Sequence, residues 1–301
     1  MKPVGRLVPC QRIRWPGLFV LLLLCFLGCE AAPDPSREQA LQSTAMSPDG
    51  VMIAYEAHGS GWPTIVLVHG WSCDRTYWEG QIEALSISNR VVAVDLGGHG
   101  ESGVNRDRWT IESFGQDVAT VANALDLQEI VLVGHSMGGD VILEAARHLP
   151  GRVKGLVWID TYKQLGSPRT AEEVAELLAP FRTDFASTTA NMVPGMFAPT
   201  ADSALVRRIT ADMSAAPANI AVEALESSFT YGRQVTTPVQ ELALPIVAIN
   251  PADPPTDTES LGRYGVDVVL VSDVGHFMML EDPERFNAVL RDVLTEFQQG
   301  G

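Results

Sequence analysis

The sequence predicts an α/β domain: a mostly parallel sheet flanked by helices on both faces. Three observations predict it. From Asp49 onward, short β-branched runs alternate with helical patterns. Those runs are nearly continuous in apolar residues, as strands buried on both faces must be. One interval between two of them, residues 161 to 243, is long and helical in pattern with no clear strand. With 301 residues, 46% of them hydrophobic and 19% charged, the chain can bury one large core.

The first segment stands outside that domain. Lys2, Arg6, Arg12 and Arg14 make a basic start, and the apolar run Leu18–Leu27 is too short to span a bilayer comfortably, so residues 1–29 read as an export signal. Its end, Phe26-Leu27-Gly28-Cys29, resembles a bacterial lipoprotein processing site, with Cys29 as the lipidated first residue. A plain cleaved signal and an uncleaved anchor are the alternatives. Residues 30–48, with Pro33-Asp-Pro-Ser36 near the start, read as a flexible tether. The expected location is the cell envelope, facing the periplasm or exterior, with membrane contact through the lipid alone. Of Cys10, Cys25, Cys29 and Cys73, a lipidated mature chain keeps only Cys73 as a thiol, which excludes an internal disulfide. Loss of residues 1–29 takes the formal charge from −16 to −20, since that stretch holds four basic and no acidic side chains. A charge of that sign argues against nucleic acid and anionic membrane surfaces as partners.

The core is expected over residues 49–160 and 244–298. Its strand candidates are Val51–Ala57, Thr64–Val68, Arg90–Asp95, Glu129–Val133, Val153–Ile159, Pro245–Ile249 and Val266–Val271. Helical patterns cover Thr110–Leu125, Met137–His148 and Pro283–Phe297. The interval 161–243 is too long for a plain crossover and reads as a helical cap, with helices around Thr170–Leu178 and Ala221–Ser228. Its Phe181, Phe185, Met192, Met196, Phe197 and Met213 either line a pocket from above or form the cap's own small core.

The chemistry centres on Gly134-His-Ser-Met-Gly138, a G-x-S-x-G pattern after a strand and before a helix. A sharp strand-to-helix turn strains the serine backbone, and side chains two positions either side would meet neighbouring backbone. The helix after Ser136 aims its free N–H groups at the place where an oxyanion forms. Serine needs a base. Among six histidines, His276 in Val274-Gly-His-Phe277 follows the last strand candidate and so shares the carboxyl edge of the sheet with Ser136. His135 is expected to point away from the serine's side of the turn, and His148 falls three helical turns on, so both read as packing or surface residues. The third group is a carboxylate that fixes the imidazole tautomer. Asp253, in Asn250-Pro-Ala-Asp-Pro254, gives the chain order Ser, Asp, His, and Asp160 at the end of the Val153–Ile159 run is its competitor. Asp140, Asp257 and Asp273 read as solvated surface groups.

These motifs resemble the α/β-hydrolase fold superfamily over about residues 49–298. His69-Gly70-Trp71 is similar to its H-G-x segment, Asp95-Leu-Gly-Gly-His-Gly-Glu-Ser102 to its D-x-x-G-x-G-x-S turn, Gly134-His-Ser-Met-Gly-Gly139 to its elbow, and Gly275-His276-Phe277 to its histidine loop. The resemblance implies an oxyanion hole from the backbone N–H groups of Trp71 and Met137, with Trp71 also walling the acyl pocket. His69, Gly70, Asp95, Gly98 and Gly100 would keep the shape of the site. The chain departs from the pattern at Asn250, where the family usually has glycine, and in the three prolines around Asp253.

A serine nucleophile implies acyl transfer to water, with a small or medium carboxylic ester as the expected substrate. It argues against the haloalkane dehalogenase and epoxide hydrolase branches, which place aspartate at the elbow. Proline-specific aminopeptidases, carbon–carbon bond hydrolases and cofactor-free perhydrolases run on the same arrangement, and a ligand-binding protein without turnover is the alternative from another class. An aminopeptidase needs carboxylates for the substrate amine; Glu172, Glu173, Glu176, Asp184 and Asp202 of the cap sit mostly on helical faces, as solvated groups do. No cofactor or metal is expected, because ligand-spaced clusters and phosphate loops are missing from the sequence.

Overall fold

The computed structural model describes residues 41–299; the export signal, Cys29 and the tether up to residue 40 lie outside them. Eight strands form one sheet: β1 (Leu41–Met46), β2 (Met52–His58), β3 (Thr64–Val68), β4 (Val91–Val94), β5 (Ile130–His135), β6 (Val153–Ile159), β7 (Ile246–Pro251) and β8 (Val266–Val271). Their order is β1-β2-β4-β3-β5-β6-β7-β8. From β4 to β8 neighbours run parallel, and β1 and β2 are antiparallel additions at one edge. All residues of β3, β4, β5 and β7 are buried, which explains their unbroken apolar sequences.

The helices are α1 (Glu79–Leu85), α2 (Ile111–Ala124), α3 (Met137–Arg147), α4 (Ala171–Thr183), α5 (Phe185–Met192), α6 (Ser203–Ser214), α7 (Ala218–Gly232), α8 (Thr236–Leu242), α9 (Thr258–Gly262), α10 (Met278–Glu281) and α11 (Pro283–Gln299). Their starts follow local chemistry. Thr110 and Ser113 close a capping box at α2, and Thr170 and Glu173 close another at α4. Between β6 and β7 the described chain holds α4 to α8 and a short turn of 3-10 helix at Val193–Met196, with no strand.

One expected boundary moves. Residues 41–46 were expected inside the flexible tether, but they form β1, paired from Leu41 opposite Ala57 to Met46 opposite Met52. The strand is an edge whose Gln42, Ser43 and Thr44 are exposed, so backbone pairing holds it and an apolar pattern does not announce it.

The parallel strands point their carboxyl ends to one edge. The chain moves from β3 outward to β4 and then crosses to β5 on the other side of β3, so the order reverses between β3 and β5. Crevices of this kind are where open parallel sheets hold their ligands.

Candidate active site

Ser136 follows β5 directly and occupies the position before α3 with φ 53° and ψ −119°, a left-handed geometry that costs a non-glycine residue on the order of 1–3 kcal/mol. Glycine on either side is a packing necessity. A Cβ on Gly134 would fall on the backbone of Gly138, and one on Gly138 would sit 2.6 Å from the carbonyl oxygens of Val68 and His69. The turn thus lets β5 and α3 close on β3 with Ser136 at the apex. Among the described residues, the amides of Trp71 and Met137 have no protein acceptor, which leaves both free beside the serine.

His276 lies in the loop after β8. Its backbone N–H donates to the Met196 carbonyl at 2.7 Å, and the Glu281 carboxylate accepts from the Gly275 and Ala198 amides at 3.0 Å, so the loop is clamped between the α5–α6 segment and α10. The ring donates from Nδ1 to Asp160 Oδ2 at 2.7 Å, which leaves Nε2 free. The expectation that Asp253 holds this ring is corrected here. Asp160, at the end of β6, turns through φ 45° toward His276, while Asp253 is exposed beyond the end of β7. Lys163 Nζ contacts the other Asp160 oxygen at 2.9 Å and donates to the Pro251 carbonyl at 3.2 Å. Burial opposes ionisation of Asp160, but His276 and Lys163 outweigh it and draw the carboxyl down to about 2. Ser136 and His276 form no hydrogen bond here; such contacts commonly tighten only when substrate is bound.

His135 is a packing residue, one of the two roles expected of it. Its ring is buried with its centroid 4.5 Å from that of His276, and Nε2 donates to the His276 carbonyl at 2.9 Å. Burial, with the nearby His276 charge, holds it well below the ordinary histidine range, so it stays neutral. Asp140, read as a surface group, is buried in the first turn of α3 and accepts from Tyr162 Oη and, at 2.7 Å, from Ser228 Oγ. Burial raises its carboxyl to about 7. The burial of Asp140 was not legible from helical periodicity, because the groups that close over it come from the loop after β6 and from α7.

A cavity of about 550 Å³ opens at Ser136, walled by Trp71, Met137, Asp140, Tyr162 and Phe229, with Arg169 and Arg233 also in its lining. Trp71 is fixed by its indole N–H on the Ala221 carbonyl at 2.6 Å, and Phe181 and Phe185 meet it edge to face at 5.5 and 5.7 Å. Phe197 stacks on Phe277 at 4.9 Å. These cap aromatics bind cap to core and do not line the Ser136 cavity. The cap acids have local duties: Glu173 completes the α4 box, Asp184 and Asp202 cap α5 and α6, and no cap acid lines the cavity.

The other family-like positions keep shape. Asp95 accepts from the Arg75 and Glu101 amides at 2.8 Å and pairs with the Arg75 side chain, and a Cβ on Gly100 would fall on its carboxylate. His69 Nε2 accepts from the Leu96 amide at 3.1 Å, and burial lowers this ring to about 4. Cys73 is a buried thiol, and burial pushes it well above the ordinary thiol range, so that it stays protonated. Asn250 is buried and donates to the Tyr162 carbonyl at 2.8 Å, joining the ends of β6 and β7. Among the described residues, no group of three His, Cys, Asp or Glu side chains is arranged to hold a metal ion.

The sequence model of the alpha/beta hydrolase family matches residues 65–289, most of the described chain. The protein belongs to that family. A solved thermophilic esterase from Thermogutta terrifontis is similar at a TM-score of 0.73 and 27% identity, covering 86% of this chain and 99% of that one. The dihydrolipoyllysine-residue acetyltransferase component of the acetoin cleaving system of Cupriavidus necator is 27% identical over 86% of this chain and 71% of its own length. A non-heme chloroperoxidase of Kitasatospora aureofaciens is 36% identical over 36% of this chain, where the match spans 40% of the relative's length. For the acetyltransferase component of Pseudomonas putida, at 39% identity, the match spans 28% of its length.

Proposed function

We propose that the protein is a serine hydrolase of small to medium carboxylic esters. The observation that carries this reading is the Asp160–His276 hydrogen bond at Nδ1, which leaves Nε2 as a base at the sheet edge where Ser136 is held in strained geometry. Ser136 Oγ attacks the ester carbonyl as His276 Nε2 takes its proton. The amides of Trp71 and Met137 bind the oxyanion, and Asp160 stabilises the imidazolium. His276 then gives the proton to the departing alcohol. Water, deprotonated by the same nitrogen, attacks the acyl-enzyme carbonyl, and Ser136 leaves with the proton returned. Likeness to an esterase at 27% identity supports the choice of ester.

Turnover of p-nitrophenyl butyrate by wild type and Ser136→Ala tests it. The variant should lose at least about a thousandfold in kcat, and equal rates would refute the role of Ser136. A folded wild-type protein that neither turns over esters nor reacts with a fluorophosphonate probe would be a binding protein instead. We also propose that residues 1–29 direct export and that Cys29 carries lipid, on the strength of the basic start and apolar run. Cys29→Ser should move the protein from the membrane fraction to the soluble one; unchanged fractionation would reject the anchor.

A further inference from the structure

The cavity beside Ser136 has a local charge opposite to that of the chain, whose formal value is −16. Arg169, in the loop between β6 and α4, and Arg233, just after α7, both line it. Among the described residues neither has a carboxylate partner, whereas Arg75, Arg106 and Arg182 are each paired with one. The Arg169 guanidinium lies over the Phe229 ring at 5.4 Å, which holds it against the cavity wall. Burial pushes the Tyr162 hydroxyl well above the usual tyrosine range and so opposes its ionisation, and the Arg169 charge pulls the other way, so that charge is felt at the group bonded to Asp140. Lys163 is already engaged by Asp160 at 2.9 Å. The only acid in the lining, Asp140, is buried and stabilised by Tyr162 and Ser228.

The position of the cavity says which half of an ester it takes. His276 must reach the departing alcohol oxygen to protonate it, so the alcohol lies toward the loop after β8. The cavity is lined by Ser136, Trp71 and Met137 but by no residue of that loop, and therefore accommodates the acyl half. We infer that the acyl group of the substrate ends in a carboxylate, bound by Arg169 and Arg233, so that the enzyme prefers monoesters of dicarboxylic acids. Guanidinium forks match carboxylates in geometry, and a cationic patch in an acidic protein concentrates anions at the mouth. The inference rests on the serine reading above.

Two esters of equal acyl length separate the cases: p-nitrophenyl hexanoate and mono-p-nitrophenyl adipate, which differ in a terminal methyl against a carboxylate. Wild type should favour the adipate by about tenfold in kcat/KM, and an Arg169→Gln, Arg233→Gln double variant should lose that preference, read as the ratio of its two kcat/KM values. Added salt should erode the preference in wild type. A wild type that favours hexanoate, or a double variant that keeps the adipate preference, overturns the inference. Ser136→Ala keeps its failure distinct from that of the parent reading. Free adipate, and not hexanoate, should raise the melting temperature of both wild type and Ser136→Ala, and the double variant should lose the shift. Loss of turnover in Ser136→Ala without any adipate shift leaves the serine reading standing and sinks the dicarboxylate one.

Discussion

Asp160 and Asp253 leave the carboxyl ends of neighbouring parallel strands, β6 and β7, and differ in almost everything else. Asp160 follows its strand directly, turns through a positive φ and is held between His276 and Lys163. Asp253 stands two residues past β7 and faces solvent. A carboxylate orients an imidazole only if it is itself immobile and desolvated, and only the β6 loop meets that requirement. Position at the sheet edge is therefore not enough; what matters is which loop the neighbouring strands lace down. Here Asn250 on the Tyr162 carbonyl, and the Asp257 amide on the Lys163 carbonyl at 2.8 Å, tie the β6 loop in place.

The sharpest break of this comparison is a pair of amides. Asp160→Asn should lower kcat for an activated ester by about a thousandfold or more, since the amide no longer holds the reactive tautomer, while Asp253→Asn should stay within about twofold of wild type. Far-ultraviolet circular dichroism and melting temperature show whether both variants fold. Comparable losses in the two, or a larger one at Asp253, would return the acid to the β7 loop.

Much of the fold was legible because the central strands are buried on both faces and write apolar runs, as at Thr64–Val68; Val153–Ile159 and the partly exposed Val266–Val271 also have the bounds the sequence suggests. The placing of Ser136 and His276 at the carboxyl edge of the sheet was legible because glycines and strand ends mark their turns, and Trp71 and Met137 were named through the family resemblance alone. The carboxylate that holds the His276 ring was not legible, because chain order favours β7 and nothing local announces the turn at Asp160. Its geometry comes from Lys163, Pro251 and His276, groups brought together only by the fold. Asp140 was misread for a similar reason: helical periodicity cannot foresee Tyr162 and Ser228 closing over it. The strand β1 was hidden by its polar, exposed side chains.

A milder test addresses the lysine that supports Asp160. Lys163→Met keeps the aliphatic stem but removes the 2.9 Å ion pair and the bond to Pro251. The ammonium is partly exposed, so the pair is screened and the expected loss in kcat is about fivefold, with the melting temperature little changed. A loss as large as that of Asp160→Asn would mean that Lys163 acts on the reacting atoms themselves; no loss would mean that His276 alone holds the acid.

The smallest effect on rate is expected at Asp140, which shares the sheet edge with Asp160 but has the opposite environment: no cation offsets its burial, and its carboxyl rises to about 7 where that of Asp160 falls to about 2. The unfolded chain releases the Asp140 proton near its ordinary value of 3.8, while the folded chain keeps it until about 7. Between those values the folded state binds more protons than the unfolded one, so its stability falls as pH rises and the penalty is complete above about 7. Asp140→Asn carries no such charge and still accepts a hydrogen bond from Tyr162 or Ser228. Its melting temperature should therefore exceed that of wild type by a margin that widens from about pH 5 to about pH 8, reaching on the order of 3 kcal/mol in stability. A difference that does not change with pH would show that Asp140 is already neutral, or already ionised, throughout that range.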